Sequence, residues 1–212
     1  MLNFPLPAKA NLPSPSVLRR AGACASLCLL AACMGRAAAP EPGTSQGTPP
    51  DLRGSRVMVF PFQDARGVDG DADAEIAFGL RDRGPEVTWI FPTRLQEVLD
   101  RSPGMSRIRG LPVGVFSTGE VRRVGDPLYG ELRRLGALVD GEVALIPLVV
   151  AAQPADSLGV AVRVSAAVIH VRTGRVLWFG MVEGDHHETA DPATLASAVD
   201  VLARTLLWYS GR

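Results

Sequence analysis

Apolar and polar positions alternate along this chain in blocks that read as short strands and amphipathic helices. Arg56-Val57-Met58-Val59-Phe60-Pro61-Phe62 predicts an opening strand. Asp71 opens a helix to about Arg83, with Ile76, Ala77 and Leu80 on one face. Val87–Phe91 predicts a second strand, and Thr93 with Gln96 has the form of a capping box for a helix carrying Leu95, Val98 and Leu99. Residues 104–125 are rich in Gly, Arg and Val without a steady period, which reads as a long loop or loose hairpin. Asp126-Pro127 has the look of an N-cap and first-turn proline, Leu128, Leu132 and Leu135 form a stripe, and Gly136 is a stop signal.

Three strands follow. Leu138–Val150 is apolar and broken by Pro147, which predicts a bulge or an edge position. In Gly159–Val171, Val160, Val162, Val164 and Val168 alternate onto one side, and Thr173-Gly174 turns the chain into Arg175–Glu183. There Val176, Trp178 and Val182 face one way, while Leu177, Phe179 and Met181 face the other. A strand apolar on both faces is either covered twice or offers one face to a partner. Asp191-Pro192 begins a last helix with Leu195, Val199, Leu202 and Leu206 at helical spacing. The order βαβα–loop–αβββα predicts an α/β fold, a mixed sheet packed by helices.

The chain before residue 55 has a different texture. Ala21–Ala32 is a short apolar run behind Arg19 and Arg20, too short for the roughly 20 residues that span a bilayer. A basic stretch, an apolar run and small residues before a cleavage point make a secretory signal. Met34–Gly54 is rich in Ala, Pro, Gly and Thr and cannot bury enough apolar surface to offset its ordering entropy, so it reads as a flexible linker spanning roughly 25 Å. The division is therefore residues 1–32 signal, 33–54 cysteine and linker, and 55–212 a single globular domain. About 160 residues suffice for one sizeable core.

Lys9, Arg19 and Arg20 fall in residues 1–32 with no acid, which leaves 19 basic against 22 acidic residues, a net −3, for the remainder. That balance is no footprint for nucleic acid and suggests no electrostatic contact of the domain with a membrane.

Leu30-Ala31-Ala32-Cys33 resembles the lipobox of bacterial lipoproteins. The resemblance implies cleavage before Cys33, a diacylglyceryl group on its thiol and acylation of the new amine. Cys24 and Cys28 would leave with the signal, so no thiol would remain for a disulfide. Met34 after Cys33 is not the aspartate that retains such proteins in the inner membrane of enteric bacteria, so the implied address is the periplasmic face of the outer membrane.

Four blocks in order resemble the CsgG, LpoB and TolB amino-terminal superfamily of periplasmic domains. They are Val57–Phe62, Arg94–Leu99, Leu135–Val143 and Val171–Trp178. Leu138 and His170 stand where that family usually has aspartates. The resemblance implies an anticodon-binding-domain-like fold and a non-catalytic role in which the domain binds other envelope components, as LpoB-like activators do.

Candidate chemistry is sparse. Asp185-His186-His187-Glu188 is the one cluster with metal-ligand residue types, but adjacent histidines do not share a face, and it reads as a polar loop. Asp64, Asp69, Asp71, Asp73 and Glu75 superficially resemble a calcium loop but lack its glycine and terminal glutamate, and they suit a helix N-terminus. No serine lies in a nucleophile motif, and no glycine-rich stretch continues as a phosphate-binding loop. The expectation is a lipoprotein without catalytic residues, metal or soluble cofactor, docking an envelope protein. The alternatives are a subunit of an oligomeric export assembly and, more remotely, a metal-dependent hydrolase. The expected docking surface is the outer face of the Thr173-Gly174 hairpin, presenting either Trp178 or Phe179.

Overall fold

A computed structural model describes residues 44–102, 107–118, 121–155 and 159–208. They build a mixed seven-stranded sheet with helices on both faces. The strands are β1 (Ser45–Gln46), β2 (Arg56–Val59), β3 (Asp64–Arg66), β4 (Thr88–Ile90), β5 (Val143–Pro154), β6 (Val160–His170) and β7 (Arg175–Glu183). The helices are α1 (Ala72–Arg83), α2 (Pro92–Asp100), α3 (Leu128–Val139) and α4 (Pro192–Leu206). Strand order is β1-β7-β6-β5-β2-β4, with β3 alongside β5 beyond the end of β2. The β2, β3 and β4 ladders are parallel; those joining β5, β6, β7 and β1 are antiparallel.

The sheet separates two apolar layers. Val57, Val143, Leu145, Val164, Val168 and Trp178 pack under Ile76 and Leu80 of α1 and the Leu195–Leu206 stripe of α4. On the other face, Met58, Ala144, Ile146, Ile169 and Phe179 pack under Leu95 of α2 and Leu128, Leu132 and Leu135 of α3. The bulge expected at Pro147 is present between Pro147 and Val149. It resets the alternation, so Val150 joins the face of Val143 and Leu145.

Helix starts show where local rules hold. Asp71 caps α1 by accepting the Asp73 and Ala74 amides at 3.1 Å. Asp191 caps α4 by accepting the Thr194 amide at 3.0 Å, with Pro192 in the first turn. Three local expectations are corrected. Thr93 forms no cap, because α2 starts earlier, at Pro92 after Phe91, and Gln96 turns instead to Asp100. Pro127 takes the cap position of α3, and Asp126 accepts the Gly130 amide. Gly136 does not stop that helix, which runs through Leu138 to Val139 and ends at Asp140 in the left-handed region.

Two further corrections are non-local. The linker does not extend to residue 54: Ser45 and Gln46 pair with Gly180 and Phe179 of β7, and Leu52 is 1% exposed in the core. The aperiodic stretch before α3 holds a 3-10 helix, Val113–Thr118, and supplies Ile108, Leu111, Phe116, Val121 and Val124 to the second layer.

Candidate functional site

Cys33 lies outside the described residues. Trp178 and Phe179 are inside, and both are core. Trp178 is 1% exposed beneath the α1–α4 layer; Phe179 is 6% exposed, its ring 5.3 Å from that of Phe116. The expected free face of the hairpin is therefore covered, because the 3-10 segment closes over the Phe179 side. Neither residue offers the exposed ring that docking required.

The acidic and histidine clusters resolve into local bonds. Asp73 accepts the Phe62 amide at 2.7 Å and pairs with Arg109, tying α1 to the end of the first strand region. His187 exchanges backbone hydrogen bonds with Val160. The His186 ring lies 3.3 Å from Glu183, whose other oxygen accepts from Arg163 Nε at 2.6 Å across the β6–β7 ladder. The bond from Arg163 holds the Glu183 carboxyl below its ordinary range, with His186 adding to it. Among the described residues no three His, Cys, Asp or Glu side chains converge on a point.

A concavity sits where β6 turns into β7. A groove of about 620 Å³ is lined by Leu52, Arg133, Glu142, His170, Arg172 and Leu177, among others. A second hollow of about 680 Å³ shares His170, Arg172 and Leu177 and adds Arg122, Arg123, Thr173 and Arg175. The fold assembles this rim by edge pairing. Val124 N–H donates to Gly174 and Val176 N–H to Arg122 carbonyl, so residues 122–124 run beside the start of β7. Arg123 stands opposite Arg175 there, near the Tyr129 ring. Gln46 Oε1 of β1 accepts the Val121 amide at 2.9 Å, joining both segments that border β7. Sequence reasoning missed this cluster; the Arg122-Arg123 pair and Arg172-Thr173-Gly174-Arg175 were its only local signals.

A third, smaller groove of about 370 Å³ lies beside β4. Arg56, Trp89, Arg94, Val98 and Leu138 line it. Leu138 is 50% exposed, and the outer edge of β4 has no ladder partner among the described residues.

No family model matches the chain, and no curated protein matches it. Its structural neighbours include the C-terminal domain of LpoB from Salmonella enterica, at 15% identity and TM-score 0.42, covering 64% of this chain and 86% of that one. A PelC dodecamer from Paraburkholderia phytofirmans matches at 15% identity and TM-score 0.38, covering 77% and 92%. A lipoprotein from Neisseria meningitidis matches at 14% identity and TM-score 0.38, covering 71% and 94%.

Proposed function

We propose that this chain is a lipid-anchored, non-catalytic domain of the bacterial envelope that docks a protein partner. The observation that carries the reading is Leu30-Ala31-Ala32-Cys33 behind Arg19-Arg20, followed within about eleven residues by the first strand of a folded domain. Acyl chains on Cys33 hold the domain at the membrane, at the periplasmic face of the outer membrane by the residue that follows. With Trp178 and Phe179 buried, docking passes to exposed apolar side chains, and Leu138 beside the open edge of β4 is the best placed of them. An unpaired strand edge flanked by an apolar side chain and arginines suits a protein surface.

Two substitutions test this. Cys33→Ala should move the protein from the membrane pellet to the soluble fraction after a high-salt wash, since multiple acyl chains give stable anchoring and the apolar run before Cys33 is too short to span. Retention in the pellet would refute the anchor. Leu138→Glu should leave the melting temperature within about 2 °C of wild type, because a half-exposed surface change is worth little. It should abolish crosslinking to the partner captured by the wild-type protein. Unchanged crosslinking would exclude this docking surface.

A further inference from the structure

Charge is distributed unevenly over the domain. Among the described residues, nine arginines reach a carboxylate, from Arg53 with Asp51 to Arg204 with Asp200. Around the hairpin the pattern reverses. Arg123, Arg133, Arg172 and Arg175 are all exposed on the rim of the two joined hollows. Among the described residues, Arg133, Arg172 and Arg175 have no carboxylate partner. The carboxylates lining the same hollows are Asp51, already held by Arg53, and Glu142. A chain with a slight negative balance after its signal thus concentrates uncompensated cations at one end. Guanidinium groups stay charged at every physiological pH and match phosphate oxygens in pairs.

We propose that this end of the domain rests on the phosphate head groups of the membrane that anchors it. The proposal builds on the lipid-anchored reading and departs from the expectation that the domain makes no electrostatic contact with a membrane. Its occupant follows from where the tether enters. If the stretch from Cys33 to Thr44 is the flexible linker its composition suggests, a chain of that length would span roughly 18 Å. β1, the first strand described, is latched through Gln46 to Val121, next to Arg122 and Arg123. From its partner Gly180, the strand runs five residues, about 16 Å, to Arg175. A tether of that reach keeps head groups at high effective concentration beside the arginines. The groove beside β4, the last strand in the order, is lined by a different set of residues.

The test uses the full chain carrying Cys33→Ala, so that no acyl chain contributes, and vesicles of phosphatidylglycerol with phosphatidylethanolamine against vesicles of phosphatidylcholine. The apolar run at residues 21–32 gives a background common to both vesicle types and to every variant. Sedimentation should show binding to the anionic vesicles above that background, and about 0.5 M salt should abolish it, since the screening length then falls to a few ångström. Arg172→Gln with Arg175→Gln should weaken it about 25-fold, from roughly fivefold per arginine at an anionic surface. Arg81→Gln with Arg101→Gln removes the same charge from α1 and from the turn after α2, and should leave binding unchanged. Melting temperatures check folding, and Arg123→Gln with Arg133→Gln serves if the first pair unfolds. Equal binding to both vesicle types, or equal loss in the patch and control variants, would overturn the proposal. So would binding of an acidic protein at the patch with vesicles ignored. These outcomes leave Cys33 anchoring and partner crosslinking standing, so the two readings fail separately.

Discussion

Two helical glycines should respond to the same substitution with opposite sign. Replacing glycine by alanine inside a helix gains about 0.8–1 kcal/mol from backbone entropy alone. At Gly79 in α1 a Cβ would meet Val199 Cγ1 at 3.4 Å and Ala203 Cβ at 3.7 Å, which is ordinary contact against α4. Gly79→Ala should therefore keep most of the gain. At Gly136 in α3 the added carbon would lie 2.5 Å from Val171 Cγ1 and 3.0 Å from the Gly141 carbonyl oxygen. Carbon pairs prefer about 3.5–4.0 Å, so the valine must retreat by about 1 Å. It cannot rotate away cheaply, being β-branched and buried in the turn between β6 and β7. Overpacking of this kind costs about 1–3 kcal/mol, which exceeds the helix gain and leaves Gly136→Ala less stable than wild type by about 1 kcal/mol. The variants should differ by about 2 kcal/mol, or about 1 M in urea midpoint if the slope is near 2 kcal/mol/M. Urea unfolding followed by tryptophan fluorescence reads this directly. A Gly136→Ala midpoint at or above that of Gly79→Ala would refute the account of α3 as pressed against the hairpin.

Trp178→Glu and Phe179→Glu should each abolish the cooperative unfolding transition, because each places a charge in a layer with no cation to receive it; a native-like melt from either would show that its face is open. Glu183→Gln should cost about 0.5–1 kcal/mol at neutral pH, the value of a partly exposed cross-strand ion pair. Since folding lowers the Glu183 pKa, that contribution is present above the unfolded carboxyl range and disappears as pH falls through the folded value. Stability curves of wild type and Glu183→Gln should therefore converge on acidification, and a gap independent of pH would refute the pair.

The elements that were legible in the sequence are those whose signals are local. The Thr173-Gly174 turn, the alternation of Val162, Val164 and Val168 and the Leu195–Leu206 stripe need no knowledge of distant partners, and they stand where the pattern puts them. What was illegible depends on tertiary placement. Ser45-Gln46 carries no strand signal, and it is a strand because β7 offers an edge. Gly136 reads as a stop, yet its missing side chain serves close packing, and the helix ends where Asp140 turns left-handed. Phe179 looked available because residues 104–125 show no period, but an irregular segment buries side chains as well as a helix does. The arginine end could not be foreseen because its members lie in segments about 50 residues apart and meet only through pairing along β7.

The two-residue β1 also sets how the domain would yield to a pull from its N-terminal side. Tension along the tether would arrive at Thr44 and load first the few bonds that join β1 to Phe179, Gly180 and Met181, together with the Gln46–Val121 contact. The next holds are the bond from Trp208 Nε1 to the Pro49 carbonyl at 3.2 Å and Leu52, wedged in the core. Peeling residues 44–51 would let out about 27 Å of chain at roughly 3.4 Å per residue before the core is strained. If the proposed anchor holds the chain at Cys33, the short strand would act as a mechanical fuse, releasing slack while β2 to β7 keep their shape.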